Sequence, residues 1–166
     1  RAKFICRDVF ELLPELEKQG EKYDVVILDP PAFTKSRNSV KNAIKGYREI
    51  NLRGMKLVKD GGFLATCSCS HFMTYELFTE TIGQAARNVH KRLRQVEFRT
   101  QAPDHPILWA ADESYYLKFY IFHGNTEIID VGVTNIEGHP ARRVHKQAIG
   151  FMHSVTYHNE VVCSIQ

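Results

Sequence analysis

Along residues 1–123, short apolar runs alternate with longer stretches in which apolar side chains recur every three or four positions. That alternation predicts strand–helix units built around a parallel sheet. Phe4-Ile5-Cys6 reads as the end of a strand. Asp8 then caps a helix predicted over residues 9–19, with Leu12, Leu13 and Leu16 on one face. Pro14 inside it is a point where the helix can kink or split. Gly20 suits the helix stop, and Tyr23–Leu28 lacks polar alternation, as a buried strand does. A polar, basic loop from 34 to about 43 precedes a helix over about 44–59, ended by Asp60-Gly61-Gly62. Residues 63–67 form the next strand, followed by a helix over 74–88 whose cap Glu76 reinforces. Arg92–Arg99 and residues 115–122 read as two further strands, the second rich in β-favouring aromatics.

The rhythm stops after that. Residues 1–123 hold eleven leucines and residues 124–166 none, yet the latter hold four of the eight histidines. A boundary at Gly124-Asn125 therefore separates one α/β domain from a tail of unassigned role. In the tail, Val131, Val133, Ile136 and residues 155–164 have the composition of short strands. His153, His158 and Cys163 lack the spacing of a zinc site, so no metal is expected.

Composition sets limits. Of the 166 residues, 43% are hydrophobic and 25% charged, which argues against a wholly disordered chain. The longest aliphatic run, Val25-Val26-Ile27-Leu28, falls far short of the roughly 20 residues that span a bilayer, so no membrane partner is expected. A net charge of +3 permits a nucleic-acid partner without requiring one. Cys6, Cys67, Cys69 and Cys163 are too few and too irregular for a disulfide framework, which points to a reduced, cytoplasmic setting. The sequence begins at Arg1, with neither methionine nor signal peptide, and is expected to continue upstream.

Two loops follow the two most apolar strands. In open α/β sheets, ligands bind beyond the carboxyl ends of the strands. There the sequence puts Asp29-Pro30-Pro31-Ala32-Phe33 and Ser68-Cys69-Ser70. A carboxylate straight after four aliphatic residues faces the crevice. The two prolines behind it stiffen the backbone, and Phe33 offers a ring for a planar group.

Asp29-Pro30-Pro31-Ala32-Phe33-Thr34-Lys35-Ser36, Gly46-Tyr47, Asn51, Gly61-Gly62 and Cys67-Ser68-Cys69-Ser70 together resemble class I S-adenosylmethionine-dependent methyltransferases. Within that superfamily the pattern is most similar to the RlmI-type large-subunit rRNA cytosine-C5 methyltransferases. Asp104-His105-Pro106 and Tyr116-Leu117-Lys118 continue the match, which covers residues 1–123. The resemblance implies a Rossmann-like sheet with helices on both faces, strand order 3-2-1-4-5-7-6 and an antiparallel last strand. Residues 4–6, 23–28, 63–67, 92–99 and 115–122 would be strands three to seven. The first two strands, the glycine-rich cofactor loop and the ribose-binding acid are not in this sequence and are expected upstream of Arg1.

The resemblance also implies methyl transfer from S-adenosylmethionine to carbon 5 of a cytosine in large-subunit rRNA. Cys69 matches the nucleophile that adds to carbon 6, and Asp29 the acid that holds the cytosine amino edge. Asp8, Asp29, Pro30 and Pro31 match cofactor-binding positions, although Asp8 reads equally well as a helix N-cap. Phe33, Lys35 and Arg37 stand where RNA would enter. Cys67 shares a strand face with Cys69 but one step earlier, and is expected to pack in the core. His71 is a solvated loop residue or a tuner of the thiol. Arg87, Lys91, Arg92 and Arg94 form a second basic cluster, read as a solvated face or as complement to a helix dipole. Two alternatives stay open: methylation of an exocyclic amine or guanine nitrogen, which needs no thiol, and a non-catalytic RNA-binding module.

Overall fold

The computed structural model describes residues 2–34 and 36–125, together with the pairs 133–134 and 140–141. In chain order these form α1 (Val9–Lys18), β1 (Tyr23–Leu28), α2 (Val40–Leu57), β2 (Val58–Ser68), α3 (Tyr75–Asn88), β3 (Arg92–Arg99) and β4 (Lys118–Asn125). Single 3-10 turns occupy Arg37–Ser39 and Asp112–Ser114. A second compact unit contributes β5 (Val133–Thr134) and β6 (Pro140–Ala141), paired antiparallel. The other tail positions singled out above, Val131, Ile136, His153, His158, Cys163 and residues 155–164, lie outside the described residues.

The four-stranded sheet has the order β1-β2-β4-β3. β1 and β2 are parallel, and β4 is antiparallel to both β2 and β3. This is the 4-5-7-6 portion of the expected order, with its reversed last strand. Residues 4–6, however, are not a strand, and Phe4 is 80% exposed. An extended tripeptide needs a neighbour to take its backbone hydrogen bonds, and among the described residues β1 pairs with β2 alone.

Leu28, Leu64, Tyr120 and Phe122 form one core with Leu13 of α1, Tyr47, Ile50 and Met55 of α2, and Phe78 and Ile82 of α3. Alternation along the strands puts Val25, Ile27 and Phe63 on the opposite face, where all three are exposed. Among the described residues, the helices cover one face. None of them is long and apolar enough to cross a membrane.

Local chemistry accounts for the element ends. Asp8 caps α1 by accepting the Phe10 N–H at 2.7 Å, and the helix runs through Pro14 without a break. Thr74 caps α3 through the Leu77 N–H. α2 begins at Val40, earlier than its apolar periodicity indicates. The preceding 3-10 turn, pinned by the Ser39 hydroxyl on Ser36 O at 3.0 Å, leads straight into it. β4 begins only at Lys118, opposite Ser68, where β2 ends and pairing with it stops.

The glycines expected to end the second helix lie inside β2 instead, as a bulge, because that helix stops at Leu57. Pairing with β1 jumps from Tyr23↔Val58 to Val25↔Phe63. Gly61 takes φ +76°, which a side chain would strain. A Cβ on Gly62 would fall 2.7 Å from Asp24 O and 3.0 Å from Lys59 O. With Val58 Cγ1 also at 2.9 Å and the two carbonyls fixed in the backbone, Gly62→Ala is expected to cost about 1–3 kcal/mol. The measurement is a lower denaturant midpoint at unchanged m-value. An unchanged midpoint would show that the bulge opens freely.

Candidate active site

Parallel pairing brings the carboxyl ends of β1 and β2 level, with Leu28 opposite Thr66. Asp29 leaves β1 exposed, with Pro30 buried behind it, while Cys69 follows β2 half-buried. Cys67 is only 5% exposed, yet it does more than fill the core. Its thiol donates to Asp29 Oδ1 at 3.0 Å, with Leu28 O at 3.6 Å. Burial, reinforced by the Asp29 carboxylate, pushes the Cys67 thiol far above the ordinary cysteine range. Cys67 is therefore a neutral donor that fixes one oxygen of Asp29. It is also unsuited to attack as a thiolate, and of the two cysteines at this strand end Cys69 is the more accessible.

The two loops are tied together. Ser70 Oγ donates to Thr34 O at 2.9 Å. Ser68 Oγ donates to the Tyr47 hydroxyl at 3.0 Å, and the Tyr47 ring meets Phe33 edge-on at 4.7 Å. Burial raises the Tyr47 phenol above its usual range, so it stays neutral. Phe33 lies against α2 rather than free in the crevice, because Gly46 leaves room for it: a Cβ there would sit 3.3 Å from the ring. Asn51, buried one turn along α2, donates from Nδ2 to Tyr47 O at 2.8 Å, while its Oδ1 has no partner among the described residues. On the other side, Lys118 Nζ donates to Ser70 O at 2.5 Å and Tyr116 O at 2.7 Å.

Sequence reasoning assigned no role to Lys118, nor to the Cys67–Asp29 contact. The signal for Lys118 was alternation: it is in step with Tyr120 and Phe122, both on the buried face of β4. The signal for Cys67 was register, since parallel pairing sets it beside Asp29 only once β1 and β2 are aligned.

The chain is similar in sequence to several curated ribosomal RNA methyltransferases. Ribosomal RNA large subunit methyltransferase I of Aliivibrio fischeri is 42% identical over 118 residues, 71% of this chain and 30% of that protein. The Vibrio vulnificus protein of the same name is 44% identical over 118 residues, with the same coverage. That of Cronobacter sakazakii is 37% identical over 123 residues, 74% of this chain and 31% of its own length. The chain is a homologue of ribosomal RNA large subunit methyltransferase I. It spans about 30% of the length of these relatives.

Solved structures agree on the fold of this methyltransferase homologue. A Streptococcus mutans protein described as a SAM-dependent methyltransferase superposes with a TM-score of 0.59 at 20% identity, covering 70% of this chain and 29% of that one. NSun6 from Pyrococcus horikoshii, solved with SFG, gives 0.53 at 15% identity over 75% of this chain and 35% of its own. The sheet is thus the Rossmann-like sheet of class I methyltransferases. No family model matches the chain.

The other candidates are more dispersed in the methyltransferase homologue. Asp8 is exposed at the start of α1, and Arg37 is exposed in the 3-10 turn before α2. Lys35 lies outside the described residues. His71 is exposed, its ring 3.8 Å from that of Phe72. In the second basic cluster, Arg87 pairs with Glu80 at 2.9 Å, and Lys91 Nζ donates to Val58 O at 2.6 Å. Lys91 also lines a cavity of about 480 Å³ with Lys22, Lys56 and Lys59, by the start of β2 and away from Cys69. No group of three metal-ligating side chains occurs among the described residues.

Proposed function

We propose that this chain carries the catalytic portion of an enzyme that methylates carbon 5 of a cytosine in large-subunit rRNA, through a covalent adduct on Cys69. One observation supports this reading above the rest. Two adjacent strand ends present unlike groups side by side, an exposed carboxylate held by a neutral thiol and an accessible cysteine. Residues 1–123 would form the catalytic domain, with 124–166 as an appendage in a cytoplasmic protein.

Asp8, Asp29, Pro30 and Pro31 fit S-adenosylmethionine as the methyl donor. Asp8 has one oxygen engaged by the Phe10 N–H and keeps the other for this donor, whereas Asp29, with Oδ1 engaged by Cys67, would border the donor while its other oxygen faces the base. When bound, the donor supplies an electrophilic methyl on a sulfonium. Carbon 5 of cytosine is a weak nucleophile. Addition of the Cys69 thiolate to carbon 6 forms an S–C6 bond and moves the ring electrons onto carbon 5, which would take the methyl as its bond to the sulfonium sulfur breaks and a neutral thioether leaves. A base then removes the carbon 5 proton, the electrons return to the ring, and the S–C6 bond breaks to release the thiolate. Asp29 accepts from the cytosine amino group through its free oxygen and so holds the ring in register. Lys35 and Arg37 would meet backbone phosphates, and Phe33 would border the extruded base.

RNA transcripts containing 5-fluorocytidine test this directly, because fluorine at carbon 5 blocks the final elimination. The full-length protein with S-adenosylmethionine is expected to form a complex that survives denaturing electrophoresis, with the RNA joined at Cys69. Methylated RNA without such a complex would favour an exocyclic amine or guanine nitrogen. RNA binding with no methyl transfer would favour a non-catalytic module.

A further inference from the structure

We infer that Lys118 is a positioning residue for Cys69: a buried ammonium that anchors the turn after β2 and supplies the counter-charge for the thiolate. The inference rests on the reading of Cys69 as nucleophile. Lys118 is 1% exposed. Lysines are almost never fully buried unless paired with an anion. Here the hydrogen bonds go to two backbone carbonyls, Ser70 O and Tyr116 O, leaving one N–H uncommitted. Among the described residues no carboxylate makes an ion pair with it, and the ionisable side chain whose charge acts on it is Cys69.

Placement gives this pairing its direction. Lys118 is opposite Ser68 in the β2–β4 ladder, and its ammonium grips the carbonyl of Ser70, so it brackets Cys69 from both sides in sequence. Burial pulls the Lys118 pKa down to about 8, and a negative charge on Cys69 pulls it back up. The Lys118 ammonium and the turn that carries Cys69 are held together by the Ser70 carbonyl. The other groups around Cys69 cannot take this part. Tyr47 and Cys67 are neutral, Asp29 is a carboxylate, and His71 is exposed in the loop beyond. During reaction Lys118 neither gives nor takes a proton; it offsets charge as the S–C6 bond forms and breaks.

Alkylation of Cys69 by iodoacetamide, followed peptide by peptide across pH, is the test. Lys118→Gln keeps a hydrogen-bond donor and removes the charge, whereas Lys118→Arg keeps the charge. At pH 7 the Gln variant is expected to alkylate about tenfold more slowly, one pH unit of displacement in its profile. The Arg variant should stay within roughly threefold of the unaltered protein on the same scale. Equal rates in Lys118→Gln and the unaltered protein would overturn the inference. Should Lys118→Gln fail to fold, the reciprocal measurement decides. In lysine-labelled protein, Cys69→Ala should move the Lys118 titration downward, and an unmoved titration would equally overturn it. Neither readout involves methyl transfer, so failure of the cytosine-C5 reading and failure of this inference are separate events.

Discussion

Cys69→Ala in the full-length protein is expected to reduce methyl transfer by at least about 10³-fold, with S-adenosylmethionine affinity almost unchanged. The covalent route makes the thiolate a partner in bond formation, and nothing nearby replaces it. Cys67, the nearest thiol in sequence, is held neutral by burial and by its donation to Asp29. Cys67→Ala should therefore retain chemistry but lose order at Asp29, with Cys67→Ser restoring part of the loss by donating a hydrogen bond in the same place. Single-turnover transfer of a labelled methyl group, alongside calorimetric binding of the donor, separates these outcomes. Near-normal turnover in Cys69→Ala would remove the covalent mechanism and with it the cytosine-C5 assignment.

Asp29→Asn should lower turnover by about 10²–10³-fold, the range for removing one preorganised polar contact at a reacting group. RNA affinity should change only a few-fold on the scale of phosphate contacts, which supply most of it. The amide would turn either an N–H₂ toward the cytosine amino edge, repelling it, or its single oxygen away from Cys67. Measuring the RNA dissociation constant and the single-turnover rate on the same variant shows which holds. Equal losses in both would mean that Asp29 positions the RNA rather than acting on the base.

Much of this arrangement is legible in the sequence where local chemistry decides it. Tyr23–Leu28 and Arg92–Arg99 match their expected bounds, and α3 starts one residue after its expected start at 74, because each depends on neighbours within a few positions. Residues 4–6 have the composition of a strand but not the partner, and pairing is not a local property. The Asp60-Gly61-Gly62 segment reads as a helix stop from its residues, and only alignment with β1 reveals it as a bulge inside one strand. In the site, Asp29 and Cys69 stand out by residue type and place, whereas the contact of Cys67 with Asp29 depends on register between separate strands. Lys118 is hidden for the opposite reason. A lysine opening a strand usually points to water, and here alternation turns it inward toward carbonyls more than forty positions away in one case.

The aromatic contact of Tyr47 with Phe33 and its hydrogen bond with Ser68 join one helix to both loops at once. A common anchor of this kind makes the loops move as a pair. If α2 slides or tilts against the sheet, Phe33 and Ser68 are carried in the same direction, and the spacing between Asp29 and Cys69 changes less than either position does. Displacement of the helix would then become a shared translation of the two loops rather than a change in their separation. On the proposed covalent route, the crevice would shift under an incoming strand of RNA while Asp29 and Cys69 kept their mutual spacing.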